Sequence, residues 1–125
     1  MSITCARGET YKELLTCRDR RTGERASLVG TTIIATIAPW PGNAPLVELS
    51  TLTSGIEFGD QSDPEHVGEA TLTWTAEQTA GLTATDYYRD VWLIDAQGNQ
   101  WVIVRPEPFR IYEPVRRPAA AMRRA

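Results

Sequence analysis

The sequence predicts an all-β protein that folds as an antiparallel β-sandwich or a small barrel. Threonine occurs 15 times among the 125 residues, and valine, isoleucine, tryptophan and tyrosine cluster in short runs, as β-strands prefer. Turn-forming residues separate these runs at intervals of roughly ten residues, which is typical of sandwiches and barrels. Only one short segment has a helical signal. Together these observations favour about eight short strands.

The first predicted strands alternate with polar turns. Residues 3–7 and 10–18 form two short strands, and the turn at 19–25 contains Gly23, which supplies the positive φ that such turns need. Residues 31–38 form a strong strand, because six of its eight positions are β-branched. One face of the second strand comprises Tyr11, Glu13, Leu15 and Cys17.

A proline-rich loop at residues 39–45 then interrupts the strands. Three prolines and one glycine in seven residues leave few backbone donors for a ladder. Strands resume at 46–52 and 56–58, and a second polar loop spans 59–68.

The second half contains the most regular patterns. Residues 69–75 alternate strictly in polarity. The positions predicted to point inward are Ala70, Leu72 and Trp74. Thr75 begins the one helical segment, because Gln78 stands where a capping box places it, and Gly81 ends the segment after about a turn and a half.

The last predicted strands are 87–95, 100–105 and 109–112, with a hairpin turn at 96–99. Prolines on both sides of residues 109–112 predict that this strand is separate. One face of the first of these strands comprises Tyr87, Arg89, Val91 and Leu93. The other face comprises Tyr88, Asp90, Trp92 and Ile94.

The length of the chain fits one domain, and a domain of this size can fold without a metal or disulfide. We expect a sandwich at residues 1–114 and an Arg/Ala/Pro-rich arm at 115–125. No run of about 18 apolar residues is present, so no membrane span is predicted. Residues 1–7 lack the pattern of a signal peptide, so synthesis in the cytoplasm is expected.

The net charge of −3 conceals an uneven distribution. Residues 1–30 carry six basic and four acidic groups (+2), residues 31–104 carry one and ten (−9), and residues 105–125 carry six and two (+4). Arginine provides 12 of the 13 basic groups, which suits interfaces, although a biased genome composition would give the same count. A basic arm that reaches an acidic neighbour fits this split, and a second copy as neighbour would give head-to-tail assembly.

Signals for catalysis are weak. His66 is the only histidine, so any Ser-His-Asp or Cys-His site would have to use it. Its neighbours Asp60, Asp63 and Glu65 resemble the start of a Ca²⁺ loop, but the required Gly and distal Glu are missing. An exposed loop histidine is the simpler interpretation. We therefore assign no catalytic residue, metal ligand or cofactor, and we expect no enzyme.

The two cysteines, Cys5 and Cys17, match no zinc pattern. They would be close enough for a disulfide if their strands formed an antiparallel hairpin. In the absence of a secretion signal, two reduced and buried thiols are expected instead.

The aromatic residues suggest possible binding surfaces. Trp74, Trp92 and Trp101 lie within strands and are expected in the core or half-buried. Trp40 lies between two prolines and either anchors an interface or caps an open end of the sandwich. A carbohydrate-binding module would use Trp40, Tyr87, Tyr88 and Trp101. Specific nucleic-acid binding is not expected, because the body is acidic and no basic strand carries interleaved aromatics.

Three segments together resemble a group of small bacteriophage virion proteins. Residues 28–33 (LVGTTI) resemble their strand entry, residues 69–82 their strand followed by a turn, and residues 87–98 (YYRDVWLIDAQG) their hairpin. The group includes the immunoglobulin-like N-terminal domain of phage baseplate upper proteins and short prophage tail proteins. Arg89 departs from it, since the family more often has an aromatic or aliphatic residue there, and the loop at 39–45 is not part of the pattern.

The resemblance implies an immunoglobulin-like β-sandwich of about 7–8 strands that docks into a virion without a catalytic role. We expect a structural component of the tail or baseplate, with a capsid-decorating or neck protein and a carbohydrate-binding module as alternatives. Its partners would be other virion proteins or further copies of itself, and no membrane. The expected contact residues are Trp40, Arg116, Arg117, Arg123 and Arg124.

Overall fold

The computed structural model describes residues 2–115 of the chain, which form eight strands and one short helix. The strands are β1 (Ile3–Ala6), β2 (Tyr11–Thr16), β3 (Thr32–Ala38), β4 (Val47–Ser50), β5 (Ile56–Phe58), β6 (Glu69–Trp74), β7 (Asp86–Ile94) and β8 (Gln100–Tyr112), and the helix is α1 (Ala76–Ala80). They pack as two sheets, so the predicted all-β sandwich with one short helical turn is confirmed, and it is compatible with an immunoglobulin-like architecture. Within residues 2–115, no helix is long and apolar enough to cross a membrane.

The larger sheet has the strand order β1-β8-β7-β3-β4, and the smaller sheet has the order β2-β6-β5. All pairs of strands are antiparallel except β1 and β8, which are parallel with Ile3 opposite Phe109. The sandwich is thus antiparallel, as predicted, apart from this one pair of strands, which the sequence did not indicate. The physical reason is that β1 and β2 join different sheets and do not form a hairpin, which leaves β1 free to lie along the last strand.

Strand β8 is continuous from Gln100 to Tyr112, so the prediction of two separate strands was wrong. Its prolines, Pro106 and Pro108, are tolerated for two reasons. The ladder with β7 has a register shift between Arg89 and Val91, and β1 covers only the last four residues of the other edge of β8. Proline is compatible with a strand at such irregularities and open edges, because no ladder donor is lost there.

The core lies between the two sheets and is built from the inward positions of each strand. The predicted inward residues of β6, Ala70, Leu72 and Trp74, are fully buried. Trp74 packs against Phe109 from the opposite sheet, with ring centroids 5.7 Å apart, and Tyr11 contacts both rings. Burial of such large aromatic side chains is the main stabilising contribution available to a sandwich of this size.

Helix α1 begins at the residue that the sequence indicated. The Thr75 side chain accepts a hydrogen bond from the Gln78 backbone N–H, and the Gln78 side chain accepts one from the Thr75 backbone N–H. This is the predicted capping box, and Gly81 ends the helix as expected. The helix closes one end of the sandwich, since the Thr79 hydroxyl donates to the Glu9 carbonyl in the β1–β2 connection.

Two of the glycines with a positive φ, a conformation that other residues adopt only with strain, fix particular turns. Gly23 has a φ of +74° in the predicted polar turn. Gly68, just before β6, has a φ of +81°, and a Cβ there would lie 2.7 Å from the Cys17 carbonyl oxygen. The Cys17 N–H donates to the Gly68 carbonyl, so this close approach joins the end of β2 to the start of β6.

Candidate functional site

The outer face of the larger sheet carries a row of aromatic and aliphatic side chains. In the register of β3, β7 and β8, Ile34 lies beside Trp92 and Trp92 beside Val102, while Ala38 lies beside Tyr88. Directly paired residues point to the same side of a sheet, so these side chains form one surface. We call the surface formed by Ile34, Trp40, Tyr88, Trp92 and Val102 the aromatic face.

Trp40 completes the aromatic face from the loop between β3 and β4. Its ring stacks on that of Tyr88, with centroids 6.1 Å apart and planes inclined by 29°. The indole is 63% exposed, so Tyr88 supports one side of it and solvent reaches the other. Trp40 therefore lies over the outer face of the sheet and does not cover the core between the sheets. That it contacts a partner stays a prediction.

Asp90 supplies the polar part of this surface. One carboxylate oxygen accepts the Thr36 hydroxyl at 2.7 Å, and the other accepts the Trp92 indole N–H at 3.2 Å. These two hydrogen bonds hold the carboxylate and the Trp92 ring in fixed positions. A rigid aromatic surface with an oriented carboxylate suits the recognition of a protein segment. Because these side chains are already ordered before binding, little entropy is lost when the partner binds.

The other aromatic candidates lie elsewhere. Tyr87 is buried, so it is not available to a ligand. Trp101 is 52% exposed, so of its two expected positions it takes the half-buried one and does not lie in the core. It pairs with Leu93 at the end of the β7–β8 hairpin, on the opposite side of the sheet from Trp92. Of the carbohydrate-binding candidates, only Trp40 and Tyr88 therefore lie together.

An ionic cluster joins the two sheets on the inner side. Arg89 on β7 donates to Glu107 on the neighbouring β8, with Nε 2.8 Å from Oε1, and to Glu13 on β2 of the other sheet, with Nη2 2.6 Å from Oε2. A second Arg89 nitrogen also pairs with Glu13. The guanidinium lies over Trp74, with its carbon 5.8 Å from the ring centroid. We call Glu13, Arg89 and Glu107 the ionic triad.

Burial and the neighbouring charges act in opposite directions on the pKa of Arg89. Burial alone would lower the pKa of Arg89, but the hydrogen bonds and charges of Glu13 and Glu107 outweigh it and raise the pKa above its ordinary value. Arg89 therefore remains charged. The sequence placed Glu13 and Arg89 each on one face of its strand but did not pair them, because the contact crosses between sheets. The triad is a connection between strands, with its cation 4% exposed.

His66 belongs to a local ion network in the second polar loop. Its Nδ1 lies 2.8 Å from Glu69 Oε1, and its Nε2 lies 3.8 Å from Asp63 Oδ2. The hydrogen bond and the charge of Glu69 raise the pKa of His66. Arg25 also pairs with Glu69, at 3.5 Å. The histidine is thus held by ion pairs that close its own loop, and in the described part of the chain no three His, Cys, Asp or Glu side chains are grouped to hold a metal.

The two cysteines are free thiols in this structure. Cys5 lies on β1 and Cys17 follows β2, so the adjacent hairpin strands that a disulfide required are absent among residues 2–115. Cys5 is fully buried, and burial together with the nearby Glu9 raises its pKa to about 12. Burial also raises the pKa of Cys17.

The four arginines proposed for the arm, Arg116, Arg117, Arg123 and Arg124, lie outside the described residues, so their part in binding stays a prediction.

No family model matches the chain, and no curated protein matches it. Among solved structures, the chain is similar to AggA, the major subunit of aggregative adherence fimbriae type I from Escherichia coli, with 10% identity over 88% of this chain and 89% of that chain. The TM-score is 0.30, and at that value the likeness supports no statement about function.

Proposed function

We propose that this protein is a non-catalytic building block of a bacteriophage particle, in the tail or baseplate, and that it docks on neighbouring proteins through the aromatic face. One observation carries the docking role: three aromatic rings, two from strand β7 and one from the β3–β4 loop, share one outer surface. Surface aromatics of this kind are the usual anchors of protein interfaces. The assignment to a phage rests on the sequence resemblance described above.

The aromatic face has the mixed character that interfaces require. Its centre is apolar, with Ile34, Trp92 and Val102 in one cross-strand row. The oriented Asp90 carboxylate lies between Tyr88 and Trp92 on β7, opposite Thr36, and provides a polar contact of defined geometry. Removing such apolar area from water favours association, and the fixed carboxylate restricts which partners fit.

The test uses phage particles purified from the host that carries the gene. We expect the protein to be present in these particles by mass spectrometry, and Trp40→Ala/Trp92→Ala to be lost from them. Trp101→Ala is the matched control, because Trp101 is also exposed but lies on the other side of the sheet. Absence of the unaltered protein from the particles would overturn the proposal, as would normal incorporation of the double variant.

A carbohydrate-binding module is the second candidate, and the Trp40–Tyr88 pair favours it because sugars pack on exposed aromatic rings beside carboxylates. A glycan array separates the two candidates. Binding of the full chain to a defined glycan, abolished by Trp40→Ala and kept by Trp101→Ala, would support the module. Absence of glycan binding on the array, together with the presence of the unaltered protein in the particles, would support the building block.

A further inference from the structure

An open groove lies at the end of the sandwich where α1 lies. Its volume is about 800 Å³, between the start of β4, the helix and the start of β7. Leu82 and Tyr87 form its floor and are nearly fully buried, while Leu46 stands at its rim and is more than half exposed. The volume lies within the range of roughly 300–1,000 Å³ that is usual for binding sites.

The charged residues that line this groove are all acidic. Glu48 from β4 and Glu77 from α1 are both exposed, and no Lys, Arg or His accompanies them in the lining. Within residues 2–115, neither carboxylate takes part in a side-chain hydrogen bond or ion pair, unlike Glu13, Glu69 and Asp86. Glu48 pairs with Thr36 and so projects from the outer face of β4, while Glu77 projects from α1, and both line the rim of the groove. An apolar floor with two unpaired carboxylates at its rim suits a peptide that has apolar residues between basic ones.

The chain itself contains a segment with that order of residues. Residues 116–125 read RRPAAAMRRA, so five apolar residues, 118–122, stand between two pairs of arginines. Arginine suits such a contact because its planar fork can pair with a carboxylate through two hydrogen bonds. The described structure ends at Val115, shortly after β8. Because Arg110 near the end of β8 pairs with Asp86 at the start of β7, this point lies at the same end of the sandwich as the groove.

We infer that this groove receives residues 116–125 of a second copy, so that each copy is both donor and acceptor in a head-to-tail assembly. Residues 118–122 lie on the apolar floor, and the flanking arginines pair with Glu48 and Glu77. The inference deepens the proposed function, on which it rests, by naming one neighbour of the building block as another copy of the same chain.

The experiment is sedimentation velocity of the full chain over a range of protein and salt concentrations. We expect self-association that weakens with added salt, because the contact is partly ionic. Glu48→Lys/Glu77→Lys and Arg117→Glu/Arg123→Glu should each weaken it by at least about tenfold, since like charges then face each other. The four substitutions combined in one chain should restore it, because the charges are again opposite.

Arg20→Glu/Arg21→Glu is the matched control, since it reverses two charges in an exposed turn outside the groove. Circular dichroism checks that each variant is folded. A chain that stays monomeric at every concentration would overturn the inference, and so would assembly that all the charge-reversal variants leave unchanged. Trp40→Ala separates this inference from the proposed function: it should still self-associate, whatever its effect on incorporation into particles.

Discussion

Replacing Arg89 by methionine should destabilise the fold substantially, because it removes the cation from the ionic triad. Removing one partner of a buried ion pair costs about 3–5 kcal/mol of folding stability, mainly because the remaining charge is left buried without a partner. Here the side chains of Glu13 and Glu107 are 15% and 16% exposed, so water still reaches them in part. We therefore expect the lower end of that range, about 3 kcal/mol.

Urea denaturation followed by tryptophan fluorescence measures this loss, since the buried Trp74 lies directly under the guanidinium. A loss of this size should lower the midpoint by roughly 2 M urea. The matched control is Arg110→Met. Arg110 pairs with Asp86 at 2.7 Å, but both side chains are about 60% exposed, and solvent screening leaves such a surface pair with little effect on stability.

A second variant tests whether the unpaired charges cause the loss. Glu13→Leu/Arg89→Met/Glu107→Leu removes all three charges and should recover most of the stability, because apolar replacement of a whole buried cluster is often neutral. A triple variant that is as unstable as Arg89→Met alone would refute the reasoning. An Arg89→Met variant no less stable than Arg110→Met would refute it as well.

Three further predictions concern single positions. Gly68→Ala should cost more than about 1 kcal/mol in urea denaturation, because its Cβ would lie 2.7 Å from the Cys17 carbonyl oxygen at a positive φ. The pKa of His66 should be above its ordinary 6.5 by NMR titration and should fall in Glu69→Gln. Because the folded pKa is raised, the stability that this contact adds should be present below pH 6.5 and lost as the pH rises through the folded value. The Cys5 thiol, with a pKa of about 12, should resist iodoacetamide at pH 8 in the native protein and react after unfolding, and rapid native labelling would contradict its burial.

The strands were largely predictable because their local signals agree with their packing. The alternation in residues 69–75 and the capping box at Thr75 are set by neighbours within a few residues, and both are present in the structure. The misjudged features depend on distant contacts. The parallel pairing of β1 with β8 joins the two ends of the described chain, and the continuity of β8 through its prolines depends on which edges other strands cover.

The candidate site was predictable only in part. Trp40 was singled out because of its flanking prolines, and the two faces of β7 were assigned by alternation, which puts Tyr88 and Trp92 on one side. The sequence did not show that Trp40 folds onto Tyr88, because a loop lacks the regular hydrophobic periodicity from which side-chain directions in strands are predicted. The triad was missed for a similar reason: Glu13 and Arg89 are far apart in the chain and meet only when the sheets pack.

The parallel pairing of β1 and β8 also determines how the protein responds to mechanical force. Ile3 to Ala6 run alongside Phe109 to Tyr112 in the same direction, so a pull on the two ends of the described chain is directed along both strands. The hydrogen bonds between them are then loaded in shear and must break together, whereas an antiparallel pair pulled at one end opens one bond at a time. A subunit connected to its neighbours through its two ends would therefore resist tension at this pair of strands before the core is exposed.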